Sequence, residues 1–189
     1  MRIVAATSNK HKLKEICAVL SEHEILSQEE AGFFGDVEET GTTFQENALI
    51  KARTVCRATG MPSLADDSGL CVNALGGAPG VYSARYSGEG TMGNRALLLK
   101  NLEGVSDRSA YFCCALALVF PDGREYTTEG KTYGRILEEA QGENGFGYDP
   151  LFWSDDLKQS FAVVSECDKN AVSHRGRALC ELKKILGAL

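Results

Sequence analysis

Residues 2–6, RIVAA, read as a short buried strand, apolar from Ile3 to Ala6, and the spacing of apolar residues changes directly after it. Thr7, Ser8 and Asn9 are residues that cap helices, and Leu13, Ile16, Cys17 and Leu20 then recur at the i, i+3, i+4, i+7 spacing of one helix face. A buried strand that feeds a helix through a short polar turn is the building unit of an α/β protein. The same turn aims free backbone N–H groups of the helix start at one point, which suits a phosphate or a carboxylate. Lys10 and Lys12 add positive charge there, although a plain capped helix would look much the same.

The rest of the chain continues that alternation. Residues 24–27 read as a second short strand, and 28–41 as an irregular acidic segment carrying Glu29, Glu30, Asp36, Glu38 and Glu39. Thr43 and Glu46 then fit a capping box. Behind it, Phe44, Ala48, Ala52, Val55, Cys56 and Thr59 mark a helical core stripe. Lys51 falls near that stripe instead of opposite it, with Asn47 one turn before it. It either snorkels to the rim or points into a site. Residues 94–102 read as another helix. Residues 109–120 and 124–132 alternate like two strands joined by Pro121, Asp122 and Gly123, a hairpin, and 134–137 read as a further strand. A helix over 173–186, with Leu179, Leu182 and Leu186 inward, closes the chain. The expectation is one mixed α/β domain over 1–189, with no separable linker and the hairpin region as a second lobe.

Three polar clusters interrupt the pattern. In LADDSGL, residues 63–65 read as a short strand, and Asp66, Asp67, Ser68 and Gly69 as its exit into the turn-rich run that contains Gly76, Gly77, Pro79 and Gly80. Two adjacent carboxylates repel each other unless a cation or proton sits between them. In QGENGFGYDP, Phe146 and Tyr148 stand beside Asp149, which suits either a ring laid on a planar ligand or a packed turn. In SHRG, His174 and Arg175 stand in the first turn of a helix, where cations oppose the macrodipole unless an anion binds between them.

Composition limits the partners. Net charge is −6, and no dense Lys/Arg run offers the basic stripe that a nucleic-acid polymer needs. No apolar run approaches the roughly eighteen residues of a membrane span, and residues 1–12 hold no apolar segment of secretory length. Seven cysteines, none in a C-x-x-C pair, argue against a disulfide framework and a zinc knuckle, and all seven read as buried small hydrophobes. A cytoplasmic protein with a small anionic ligand is expected.

Taken together, TSNKHK (7–12), EETGTTFQENALIKA (38–52), ADDSGL (65–70), GFGYDP (145–150) and SHRGRA (173–178) resemble the motifs of the non-canonical purine nucleoside triphosphate pyrophosphatases, the dITP/XTP pyrophosphatase or inosine triphosphatase family. LGGAPGVYSARYSGE adds to the likeness, which runs from Arg2 to the last helix. Ser8 stands where many members carry glycine, and the segment after Glu89 diverges. The resemblance implies a two-lobed α/β fold around a long mixed β-sheet flanked by helices, with a central active-site cleft and usually a homodimer. It implies Mg²⁺-dependent hydrolysis of ITP, dITP and XTP to monophosphate and pyrophosphate. By the same likeness Thr7, Ser8, Asn9, Lys10, His11, Lys12 and Lys51 bind the triphosphate. Asp67 is the catalytic proton acceptor and a metal ligand with Glu39, Glu38 and Asp66 being the alternatives, and Ser68 contacts substrate. Phe146, Gly147, Tyr148, Asp149, Lys169, His174 and Arg175 hold the base and neighbouring groups.

The residue types fit that chemistry. Mg²⁺ asks for hard carboxylate oxygens and keeps several waters, while lysines and N–H groups suit phosphate oxygens. In-line attack of water at the α-phosphate depends on positioning and charge neutralisation, so no nucleophilic Cys or Ser is required. Reading a 6-oxo purine against adenine needs donors aimed at O6, for which Lys169, His174 and Arg175 are candidates. Two rival readings stay open: a related pyrophosphatase preferring pyrimidine or modified bases, and a catalytically silent nucleotide-binding protein. A P-loop NTPase is excluded, because G-x-x-x-x-G-K-[ST] does not occur.

Overall fold

The computed structural model describes residues 1–188. Its elements are β1 (Arg2–Ala5), α1 (Lys10–Val19), β2 (Glu24–Ser27), α2 (Phe44–Thr59), β3 (Ser63–Val72), α3 (Gly90–Asn101), β4 (Ser109–Val119), β5 (Glu125–Ile136), β6 (Phe152–Ser154), β7 (Gln159–Ser160), α4 (Glu166–Val172) and α5 (His174–Leu186). Short 3₁₀ turns cover Asn73–Leu75, Gly80–Arg85 and Asp149–Leu151. The strands form one sheet of order β2-β1-β3-β4-β5-β6-β7. It is mixed: β1 runs parallel to β2 and β3, whereas β6 is antiparallel to β5 and β7. This is the α/β class expected, with a mixed sheet flanked by helices.

The chain divides into two compact units, one holding Met1–Asp67, Cys114–Gly130 and the chain from Arg175 onward, the other Ser68–Cys113 and Lys131–His174. In the first unit both faces of the strands are covered. Ile3, Leu64, Leu116 and Leu118 pack with Ile16 and Leu20 of α1 and with Leu179 and Leu182 of α5. On the other face Val4, Ala65, Ala117 and Val119 meet Ala48, Ala52 and Val55 of α2. The second unit has its own core, with Leu70, Val72 and Phe112 against Leu98 of α3, against Leu102 just after it, and against Phe152 and Phe161. Removing a fully buried leucine such as Leu64 or Leu98 to alanine costs about 2–5 kcal/mol.

Several expectations change here. Asp66, Asp67, Ser68 and Gly69 are not a turn exit; they lie inside β3, and the turn begins only at Asn73. Because side chains alternate along a strand, Leu64 and Asp66 share the α1/α5 face, while Ala65 and Asp67 share the α2 face. Residues 134–136 continue β5 instead of forming a separate strand. The helix expected from 94 starts at Gly90, a turn earlier, with no side-chain cap to announce it. β6, β7 and α4 were not foreseen, being too short to display a period. Cys56, Cys71, Cys113 and Cys114 are buried as expected, but Cys17, Cys167 and Cys180 are exposed. Ile16 and Leu179 carry the buried stripes of their helices, and the next residue on each lies about 100° round, which turns Cys17 and Cys180 to solvent.

Candidate functional site

The N-terminal turn builds as its residues dictate. Asn9 caps α1, its Oδ1 accepting from the N–H groups of His11 at 2.9 Å and Lys12 at 3.2 Å. Thr7 Oγ1 accepts from Asn9 N–H at 3.1 Å, so the turn is held by its own side chains. Ser8, Lys10 and His11 are exposed. Lys12 turns inward, and its ammonium donates to Asp66 Oδ1.

Asp66 is the centre of a buried ion cluster, with 1% of its surface exposed. Arg175 Nε donates to its Oδ2 at 2.7 Å, and another guanidinium nitrogen donates to Glu15. The Cys114 thiol lies 3.0 Å from Asp66 Oδ2. The cation at the start of α5 is therefore answered by the protein's own carboxylates. Burial alone would raise the Asp66 carboxyl pKa, yet Arg175 and Lys12 outweigh it and hold the group well below the usual carboxylate range. Burial and the neighbouring Asp66 push the Cys114 thiol well up, which leaves it a neutral donor.

Asp67, one residue on, faces α2. Asn47 Nδ2 donates to its Oδ2 at 3.1 Å, and Lys51 Nζ lies 3.3 Å from its Oδ1. The same ammonium donates to Glu39 Oε1 at 2.5 Å. Lys51 thus turns inward to two carboxylates instead of snorkelling to the rim. Of the acidic pair, Glu39 is half-buried at this point and Glu38 is exposed. Burial raises the Asp67 carboxyl pKa, Lys51 opposes it and Glu39 adds to it, with a raised value as the result. For Lys51, burial would lower the pKa, but Asp67 and Glu39 raise it.

In the second unit the loop 145–149 is tied at both ends. Asp149 Oδ2 accepts from Phe146 N–H at 2.7 Å and from Lys169 Nζ at 2.7 Å. The Lys169 ammonium also stands 4.7 Å from the centre of the Phe146 ring, a cation–π contact. A Cβ at Gly145 would come 2.3 Å from Asp149 Oδ2, so glycine alone lets the loop close on that carboxylate. Tyr148 is buried and its hydroxyl donates to Ser83 O at 2.8 Å. Arg95 Nε donates to Gly147 O at 2.5 Å. His174 is buried and stacks on Phe112 with ring centres 4.8 Å apart. Ser68 is half-buried on β3.

Sequence reasoning missed Glu15, Cys114 and Arg95 as partners of these groups. Glu15 was legible only as a polar position on α1, and nothing near Arg95 in sequence points to Gly147. Among the described residues no three His, Cys, Asp or Glu side chains gather as a metal-binding group. Mg²⁺ does not require three, since it is commonly held by one or two carboxylates together with substrate phosphates and water. Glu39 and Asp67 are such a pair of carboxylates, both drawn to the one Lys51 ammonium.

The first unit thus holds a lysine-flanked helix start and a carboxylate pair on one lysine, and the second an aromatic–lysine–carboxylate loop, within an α/β protein. The comparisons with known proteins then place it. Residues 3–185 match the model of the Ham1 family, and the chain belongs to that family. A protein named dITP/XTP pyrophosphatase from Geobacter sulfurreducens is 52% identical, over 98% of this chain and 96% of its own. One of the same name from Bacillus licheniformis is 48% identical over 97% of each. Among solved structures, a HAM1 protein from Coxiella burnetii superposes with a TM-score of 0.92 at 42% identity, covering 100% of both chains. The Staphylococcus aureus Ham1 protein gives 0.91 at 37% identity, covering 100% of this chain and 99% of its own. The family expected from the motifs is the family found.

Proposed function

We propose that this chain is a nucleoside triphosphate pyrophosphatase that hydrolyses dITP, ITP and XTP to the monophosphate and pyrophosphate. The observation that carries the reading is Asp67, a buried carboxylate held between Asn47 and Lys51 and pushed toward a higher pKa. A carboxylate so disposed is suited to accept the proton of a water attacking the α-phosphate. Lys51, Lys12, Lys10 and the turn of Thr7, Ser8, Asn9 and His11 bind the triphosphate oxygens, and Ser68 contacts the substrate beside them. Glu39 and Asp67 would hold Mg²⁺, which when bound neutralises charge that develops on the phosphates.

Phe146 stacks on the purine, framed by Gly147 and Tyr148. Lys169, which Asp149 holds, supplies a donor for O6, with His174 and Arg175 as further base-reading groups. Homodimer formation follows from the family resemblance and is read by sedimentation. Cytoplasmic residence is supported by all seven cysteines being free, as a reducing compartment keeps them. No helix among the described residues is long and apolar enough to cross a membrane.

The test is pyrophosphate release from ITP, dITP, XTP, ATP, dUTP and dTTP with Mg²⁺. Release from the first three and little from the others is expected. A parent that binds ITP without turnover, or that prefers dUTP or dTTP, would overturn the reading.

A further inference from the structure

Asn47 is fully buried in the second turn of α2, a place where a polar side chain is costly unless its groups are bonded. Its two ends reach two different segments. Oδ1 accepts from the backbone N–H of Gly41 at 2.8 Å, and Nδ2 donates to Asp67 Oδ2 at 3.1 Å. A flipped amide would set oxygen against carboxylate and NH₂ against N–H, so the two bonds fix its orientation.

The Gly41 end is a tight fit. A Cβ at position 41 would lie 2.7 Å from Asn47 Oδ1 and 2.7 Å from Glu46 Cβ, so the bond requires glycine there. Next to it, the Glu46 carboxylate accepts from Thr42 N–H at 2.7 Å and Thr43 N–H at 3.1 Å, and Thr43 caps the helix in return. Residues 41–46 are in this way one piece with the helix start, and Glu39 stands two residues before that piece. Lys51 follows Asn47 by four residues on the same helix face. One amide therefore ties the segment that presents Glu39 to the strand that presents Asp67.

We infer that Asn47 is a positioning residue that sets the spacing of the Glu39 and Asp67 carboxylates, and with it the affinity of that pair for a divalent cation. The inference rests on the metal role proposed above for those two side chains. Partners that orient metal ligands typically cost about 10–100-fold in metal affinity when removed.

The test uses Mn²⁺ alone, bound to the full chain without nucleotide and followed by electron paramagnetic resonance, on the parent, Asn47→Ala and Gly41→Ala. Asn47→Ala removes both bonds, whereas Gly41→Ala crowds out only the loop bond and leaves Asp67 its partner. Both variants are expected to bind Mn²⁺ about 10-fold or more weakly. With ITP, both should need correspondingly more Mg²⁺, with the rate recovering toward the parent's at saturation. A merely structural role would lower the rate equally at every Mg²⁺ concentration and leave the Mn²⁺ affinity of the folded protein unchanged. Unchanged Mn²⁺ affinity, or a parent that binds no Mn²⁺, would overturn the inference. If Asn47→Ala fails to fold, Gly41→Ala decides in the same terms. A parent that binds Mn²⁺ but releases no pyrophosphate would sink the proposed activity while the binding ratios still judge Asn47.

Discussion

Asp66 and Asp67 are neighbours on one strand, yet they occupy opposite surroundings. On the α1/α5 face Asp66 meets two cations, Lys12 and Arg175, with Glu15 completing the cluster. On the α2 face Asp67 shares Lys51 with a second carboxylate, Glu39. The first arrangement favours a permanent charge, and its carboxyl is held low. The second leaves a carboxylate that gains from a further cation or a proton, and its carboxyl is held high. A strand's two-residue alternation is enough to give two identical side chains opposite electrostatic surroundings, an anchored one at Asp66 and, on the reading proposed above, a reactive one at Asp67.

The contrast breaks most visibly if the acids are exchanged for amides one at a time. Asp67→Asn should lower turnover of ITP about 10²–10⁴-fold, the usual worth of a positioned proton acceptor, while the melting transition stays in place. Pyrophosphate release and calorimetry read the two halves. Asp66→Asn should instead cost on the order of 3 kcal/mol in urea unfolding, because it strips a partner from the buried Arg175 and Lys12. In the second unit, Lys169→Met should raise KM for ITP about 10-fold or more, as loss of a charge-assisted bond would, with kcat changed less. Smallest of all, Cys114→Ala should cost about 1 kcal/mol or less and leave turnover unaltered, since Asp66 keeps Arg175 and Lys12.

What was legible in the sequence was local. The capping box of Thr43 and Glu46 spans four residues and formed as read. Asn9 capped α1, and the alternation of 109–120 and 124–132 became β4 and β5 with a hairpin turn between them. The placement of Asp66 and Asp67 was not legible. Lys12 and Arg175, the partners of Asp66, lie 54 and 109 residues away in sequence, and Asn47 and Lys51, the partners of Asp67, 20 and 16; such long-range contacts override the turn preference of Asp, Ser and Gly. Lys51 was marked by its helical angle alone, which left a rim and an inward position both open and did not show the two carboxylates beside it. Arg95 gave no signal, because its partner is a backbone carbonyl that sequence does not display.

The opposite shifts also give opposite pH dependence. Asp66, with its folded pKa below its unfolded one of about 3.9, lends stability above that value and loses it as pH falls through the folded pKa. Asp67, with its folded pKa raised, lends stability below about 3.9 and loses it as pH rises through the folded pKa. The most direct test is a carboxyl ¹³C NMR titration of the metal-free protein, with the two signals assigned from Asp66→Asn and Asp67→Asn. Asp66 is expected to titrate below about 3.9 and Asp67 above it. Coincident midpoints, or the reverse order, would contradict the division between an anchored and a reactive carboxylate.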